Sequence, residues 1–275
     1  MAGISPTQAS VTFIGTATTL ITVGQFTLLT DPNFLHHGER AHLGYGLWTR
    51  RRTDPAMEIE ELPPLDAVVL SHLHGDHFDR VARSGLDKQL PIITTPHARR
   101  RLRRWGFAGA EALPTWESHE IRRGDQLLRI TAVPGRHGRG LVNLLLPQVM
   151  GTILDFEDQG QVRLRLYITG DTLYHPSLAE VPARFPEIDA MLIHLGGTRV
   201  LGALVTMDGR QGAELLRMIR PRVTVPVHYD DYTAFRSPLR DFLDAARRVG
   251  LDPGVYPLRR GETLGLPQRA IMLTV

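Results

Sequence analysis

The segment His72 to Asp79 places three histidines and two aspartates in eight positions, directly after the apolar run Ala67–Leu70. Imidazole nitrogen and carboxylate oxygen are donors that zinc, manganese and iron all accept. If the backbone stays extended past Leu70, His72 and His74 point to the same side. Gly75 then lets the chain turn, and Asp76 and His77 aim back at the same space. Four titratable groups beside a buried strand are costly unless paired or bound to a cation. The run His72-x-His74-x-Asp76-His77 therefore reads as a metal site. One ion does not use all four groups easily, whereas two neighbouring ions could, with further ligands from other segments.

Candidates for those ligands stand at later strand ends. His137 follows the strand ending at Val133, Asp171 the strand ending at Ile168, and His228 the strand ending at Val227. Each has an ordinary alternative: a loop histidine in a glycine-rich turn, an Asx-turn before Thr172, and a core histidine bonded to a carbonyl. His194 ends another apolar strand. It is read either as a group facing the metal pocket, stabilising an oxyanion or protonating a leaving group, or as a buried histidine fixed by carbonyls. Tyr229, Asp230, Asp231 and Tyr232 are expected to line the same rim or to form a solvated acidic loop. Asp208 is expected to cap a helix. His36, His37 and His42 fall in a long loop that could act as a lid. His97, His119 and His175 have no supporting partners in the sequence and are expected to be structural.

Composition limits the rest. The chain has 275 residues, 42% hydrophobic and 22% charged, ordinary for a globular protein with a substantial core. No cysteine is present, which excludes disulfides and thiolate metal ligands. No apolar run reaches the length of a membrane span. The opening MAGISPTQAS lacks a basic and then hydrophobic segment, so a cytoplasmic location is expected. Net charge is +3 and the isoelectric point about 9.6, with Lys88 the sole lysine. This arginine bias reads either as codon preference or as phosphate recognition. Arg99, Arg100, Arg101, Arg103 and Arg104 crowd one helix, expected to be a solvated face with carboxylate partners rather than a nucleic-acid patch. Arg50, Arg51 and Arg52, in the lid loop, are better placed to meet an anionic substrate.

The positioning elements follow from periodicity. Val11–Ile14, Leu20–Val23 and Phe26–Thr30 read as a β-meander. Residues 31–64, rich in proline and glycine, read as a long irregular connection. Further strands are expected at Ala67–Leu70, Pro91–Thr95, Leu127–Val133, Leu141–Leu146, Val149–Asp155, Arg163–Thr169, Ala190–Leu195, Thr224–Val227, Gly254–Leu258 and Ala270–Val275. Helices are expected at His97–Trp105, Arg210–Ile219 and Pro238–Val249, the last two with apolar spacing of three to four residues. Clustered strands with interspersed helices suggest two packed sheets with helices outside. One domain over 1–275 is expected.

The ligand order His72-x-His74-x-Asp76-His77, His137, Asp171, His228 resembles the metallo-β-lactamase superfamily of binuclear metallohydrolases. The resemblance runs from the first strands to near the C-terminus. It implies an α/β fold, a four-layer αββα sandwich. It implies two divalent ions, zinc first, with Mn2+ or Fe2+ as alternatives. His72, His74 and His137 would bind one ion; Asp76, His77 and His228 the other; Asp171 would bridge. Electron-transferring members usually carry glutamate where this chain has His74, so the resemblance favours hydrolysis. Gly15-Thr16-Ala17-Thr18 and Leu29-Thr30-Asp31-Pro32 look like the branch containing ascorbate-6-phosphate lactonase and N-acylphosphatidylethanolamine phospholipase D. Many members there have histidine where Thr16 stands. Asp31 is read as an acceptor for a ligand imidazole or as a turn residue.

The implied reaction is attack by a metal-activated hydroxide, formed because the metals lower the pKa of water to roughly 7. The substrate would be a small lactone, ester or phosphodiester, anionic or neutral. Asp76 and Asp171 would orient the nucleophile or relay a proton, with His194 as the third catalytic candidate. The alternatives are a phosphodiesterase acting on nucleic acid and a non-catalytic metal-dependent binding protein. Oligomeric state is open.

Overall fold

In the computed structural model, residues 9–44, 46–140, 145–200 and 202–270 are described. The strands are β1 (Ala9–Gly15), β2 (Thr18–Val23), β3 (Phe26–Thr30), β4 (Arg40–His42), β5 (Trp48–Arg50), β6 (Ala67–Leu70), β7 (Ile92–Thr94), β8 (Ala110–Ala112), β9 (Ser118–Arg123), β10 (Gln126–Pro134), β11 (Met150–Asp158), β12 (Gln161–Ile168), β13 (Ala190–His194), β14 (Arg199–Val200), β15 (Ala203–Leu204), β16 (Val223–Val227) and β17 (Thr263–Gly265). The α-helices are α1 (Arg80–Gly85), α2 (Pro96–Arg104), α3 (Glu180–Arg184), α4 (Gly209–Ile219) and α5 (Leu239–Arg248).

Two mixed sheets are formed, in the orders β17-β1-β2-β3-β6-β7-β8 and β16-β13-β12-β11-β10-β9. Alternation along the strands explains how they stack. In β6, Ala67 and Val69 face the second sheet while Val68 and Leu70 face the outer helices. In β13, Ala190 and Leu192 face inward while Met191 and Ile193 meet Leu215, Leu216 and Phe242. Such period-two burial on both sides makes each central strand a continuous apolar run. The helices α1 and α2 cover one outer face and α3, α4 and α5 the other, giving the expected αββα sandwich.

The parallel pairs β3/β6, β12/β13 and β13/β16 run the same way within each sheet. Their C-terminal ends lead directly into Asp31, His72, Asp171, His194 and His228. At this edge Met150 N–H donates to Ser71 O at 3.1 Å, tying the start of β11 to the residue after β6.

Some expectations need correction. Gly254–Leu258 is not a strand: Asp252–Gly254 is a 3-10 turn and Val255 makes an isolated bridge to Thr224. Pro253 and Pro257 remove the donors a ladder needs. The strand β9 was not anticipated; its SHEIRR sequence is exposed on a sheet edge and has no apolar alternation. The long connection 31–64 holds the β4–β5 hairpin. The expectations for Ala270–Val275 and for most of Leu141–Leu146 lie outside the described residues. Among the described residues no helix is long and apolar enough to cross a membrane.

Candidate metal centre

The segment after β6 turns as its composition requires. Gly75 packs against the β4 backbone, where an added Cβ would lie 2.7 Å from His42 N and 2.8 Å from His42 O. Gly75 N–H donates to His42 O at 2.9 Å. Asp79 then caps α1, accepting from Ala82 N–H at 2.8 Å. On the other sheet, Gly170 has φ +61° and sits where a Cβ would meet Met150 O at 2.6 Å. Only glycine fits there without moving backbone, and this sets the turn that delivers Asp171.

The structure brings all seven expected ligand residues together. His72, His74 and His137 form one group able to hold an ion; Asp76, His77 and His228 form a second; His72, His77 and Asp171 form a third that joins them. His72 Nε2 lies 3.0 Å from His74 Nδ1, and His137 Nε2 lies 3.2 Å from the same atom. His77 Nε2 lies 3.1 Å from His228 Nε2, which is 3.4 Å from Asp76 Oδ2. Asp171 Oδ2 is 3.4 Å from His77 Nε2, and its Oδ1 is 3.4 Å from His228 Nδ1. Two ligand atoms on a tetrahedral zinc are about 3.3 Å apart, so these separations fit shared cations.

Two further observations support that fit. First, four imidazoles are each held from outside. His72 Nδ1 lies 3.1 Å from Ser71 Oγ, and His77 Nδ1 lies 3.2 Å from Asp31 Oδ2. His137 Nδ1 donates to Val205 O at 2.9 Å, and His228 Nδ1 donates to Leu195 O at 3.0 Å. Each contact leaves Nε2 turned into the cluster, as a metal ligand requires. Secondly, the buried oxygens Asp76 Oδ1 and Asp171 Oδ1 accept no hydrogen bond among the described residues. A buried carboxylate oxygen without a donor is costly, and a cation would satisfy both.

The electrostatics point the same way. Burial pushes His77 down, but Asp171, Asp31 and Asp76 outweigh it and hold the imidazole well above its usual range. His228 is raised similarly by Asp171 and Asp76 against its burial. Burial, with His77, His74 and His137 nearby, holds His72 well below the usual value. Burial and His137 lower His74 to about 3. Burial opposes ionisation of Asp171, yet His228 and His77 hold it well below the carboxylate range. The carboxylate side of the cluster demands positive charge, while the His72 side offers neutral lone pairs.

Backbone strain collects here too. Thr16, Asp31 and His228 have φ of 55°, 35° and 61° without being glycine. Such conformations cost on the order of 1–3 kcal/mol each and persist where surroundings fix them. His228 N–H donates to Thr16 O at 2.7 Å, and Asp31 Oδ1 accepts from Ser71 N–H at 2.7 Å.

The remaining sequence candidates divide. Asp31 is an imidazole partner rather than a simple turn residue, touching both His77 and His194. His194 does not face an open pocket. It is 1% exposed, with Nδ1 at 3.3 Å from Thr169 Oγ1 and Nε2 at 3.3 Å from Asp31 Oδ2. Both nitrogens lie against polar atoms of the protein, and Asp31, His77 and His194 form a further group with metal-ligand spacing. Asp208 caps α4 through Gln211 N–H at 2.9 Å.

Arg51 is not in a substrate-facing lid. It is fully buried, pairs with Asp231 at 3.2 Å and donates to Thr16 Oγ1 at 2.6 Å. Asp231 and Tyr232 are correspondingly internal, Tyr232 Oη donating to Asn33 Oδ1 at 2.9 Å, while Asp230 pairs with Arg260. His36 pairs with Glu58 at 3.1 Å and the His42 ring packs at a tilt against Trp48. His119 pairs with Glu111 at 2.9 Å. Thr206, which donates to Asp171 Oδ2 at 3.0 Å, carried no signal in the sequence.

Comparison with known proteins supplies the family context. A family model described as a beta-lactamase superfamily domain matches residues 28–229. The UPF0173 protein YddR of Bacillus subtilis is 26% identical over 266 residues, covering 92% of this chain and 98% of that protein. A UPF0173 metal-dependent hydrolase of Archaeoglobus fulgidus is 25% identical over 205 residues, covering 72% and 80%. An isothiocyanate hydrolase from Delia radicum gut bacteria shares the fold, with a TM-score of 0.78 at 20% identity, covering 94% of this chain and 99% of that one.

Proposed function

The chain belongs to the metallo-β-lactamase superfamily and is a metal-dependent hydrolase; on that premise we propose that it works with two divalent cations on a small lactone, ester or phosphodiester. The observation that carries the reading is the sharing of His72 and His77 between adjoining ligand groups, with Asp171 reaching both. His72, His74 and His137 would hold one ion and Asp76, His77 and His228 the other. Zinc suits the all-nitrogen group best, and manganese or iron would suit the carboxylate group. When bound, such cations supply Lewis acidity and water activated at neutral pH.

The chain's own groups do the rest. Asp76, with one carboxylate oxygen toward a cation, would orient the attacking water and accept its proton through the other. Thr206 donates to Asp171 Oδ2, the oxygen 3.4 Å from His77 Nε2, and so fixes the carboxylate where the two ligand groups adjoin. Asp31 and His194 keep His77 in the tautomer with Nε2 free. His74 is the least buried of the seven, the other six being under 9% exposed, so substrate approaches on its side. The resemblance of Gly15–Thr18 and Leu29–Pro32 to the lactonase and phospholipase D branch agrees with this class of substrate. We read the chain as one domain acting from inside the cell.

The test is turnover of a lactone, ester, β-lactam and phosphodiester panel by metal-replete protein, repeated with Asp171→Ala. Turnover of at least one substrate, lost in the variant while far-ultraviolet circular dichroism is unchanged, is expected. Absence of turnover across the panel with two cations bound contradicts the reading and favours a binding role.

A further inference from the structure

A cavity of about 370 Å³ opens beside His74 and is bordered by α1, α2 and the β4–β5 hairpin. It meets the metal centre at the least buried of the seven residues. His74 Nδ1 faces His72 and His137, while its Nε2 faces the hairpin, 3.9 Å from where a Cβ on Gly44 would be. The apolar wall is Phe78 stacked on Trp105 at 6.3 Å, together with Leu73.

Two guanidiniums lie on that wall. Arg83 stands 4.4 Å from the Trp105 ring centroid and Arg101 stands 5.2 Å from it. Neither makes an ion pair among the described residues. The carboxylates nearby are already taken. Asp79 lines the cavity but accepts from Phe34 N–H at 2.5 Å, Leu35 N–H at 2.7 Å and Ala82 N–H at 2.8 Å. Glu39 pairs with Arg80. Two cations within roughly a Debye length of each other, stacked on one indole and lacking a counter-charge, form a site that favours an oxyanion.

We infer that this cavity holds the non-reacting end of the substrate, and that this end is an oxyanion, a carboxylate or a phosphate, on an aromatic or aliphatic body. The inference rests on the hydrolase reading above. Arg83 and Arg101 grip the anion, Phe78 and Trp105 take the apolar body, and the scissile bond reaches the metal centre past His74. These arginines are specificity-determining residues and take no part in bond breaking.

The experiment is calorimetric titration of metal-replete protein with phenylphosphonate, and with benzyl alcohol as the neutral counterpart. The variants are Arg83→Gln, Arg101→Gln, the double variant, and Arg99→Gln/Arg100→Gln as an equal charge loss on exposed positions of α2 away from the cavity. Saturable phenylphosphonate binding is expected, weakened by at least about tenfold in the double variant, with little change in the Arg99/Arg100 control. Binding that is absent, equal in the double variant, or equally reduced in the control overturns the assignment. Binding heat does not require turnover, so the two readings fail separately. Arginine-dependent binding without turnover of the substrate panel sinks the hydrolase reading alone. Turnover with arginine-independent binding sinks the anion pocket alone.

Discussion

Asp31 holds His77 from behind: Asp31 Oδ2 is 3.2 Å from His77 Nδ1, while His77 Nε2 faces His228 Nε2 at 3.1 Å. The carboxylate is lowered to about 2 although burial opposes ionisation, because His77 and His194 both stabilise its charge. It therefore fixes one tautomer of a ligand imidazole.

Asp31→Asn keeps the shape and removes the charge. Affinity for the cation at the Asp76, His77 and His228 group should fall by about 10–100-fold, read by competition with a chromophoric chelator. Unchanged affinity would mean that Asp31 does not tune His77.

The Arg51–Asp231 pair joins the 31–64 connection to the segment carrying His228. Both side chains are excluded from solvent, and Asp231 also accepts from Thr16 N–H at 2.9 Å and Thr53 Oγ1 at 2.6 Å. Arg51→Ala leaves Asp231 with Arg260, at 3.1 Å, as its remaining counter-charge and should cost up to about 3 kcal/mol in urea denaturation, less than for a buried charge left wholly unpaired. A cost below about 1 kcal/mol would show the pair to be dispensable.

Gly75 permits contact between the metal-site turn and the β4–β5 hairpin. In Gly75→Ala the new methyl would overlap His42 backbone atoms, and the chain must shift. Loss of about 1–3 kcal/mol of stability is expected, with the larger effect on turnover because His74 and Asp76 flank the position. Wild-type stability and turnover in the variant would contradict the close packing.

His175 is buried and neither ring nitrogen has a partner among the described residues. Burial, with Arg136 nearby, lowers it to about 4. The unfolded chain therefore takes up a proton that the folded chain refuses, and folding weakens as pH falls from about 6.5 to about 4. His175→Gln should remove on the order of 1 kcal/mol of that decline, seen as a smaller drop in urea midpoint than in wild type. Identical pH profiles would contradict the shift.

Much of this was legible in the sequence where local chemistry decides the outcome. The runs Ala67–Leu70 and Ala190–His194 are short, apolar on both faces and punctuated by turn residues, so central strands are readable. Their ends then deliver polar groups to one edge, which made His72, His137, Asp171 and His228 visible as candidates. What was not legible depends on partners distant in sequence. Arg51 looked like a lid cation because nothing local announces Asp231, 180 positions away. His194 stood between two readings because its strand end resembles the others, and nothing local announces its neighbour Asp31. β9 escaped because a sheet edge needs no apolar alternation.

The most direct measurement is anomalous diffraction from crystals of the protein loaded with zinc. Two peaks are predicted, one bonded to His72, His74 and His137, the other to Asp76, His77 and His228, with Asp171 in reach of both. A single peak, or peaks elsewhere with these side chains turned apart, would contradict the two-cation centre.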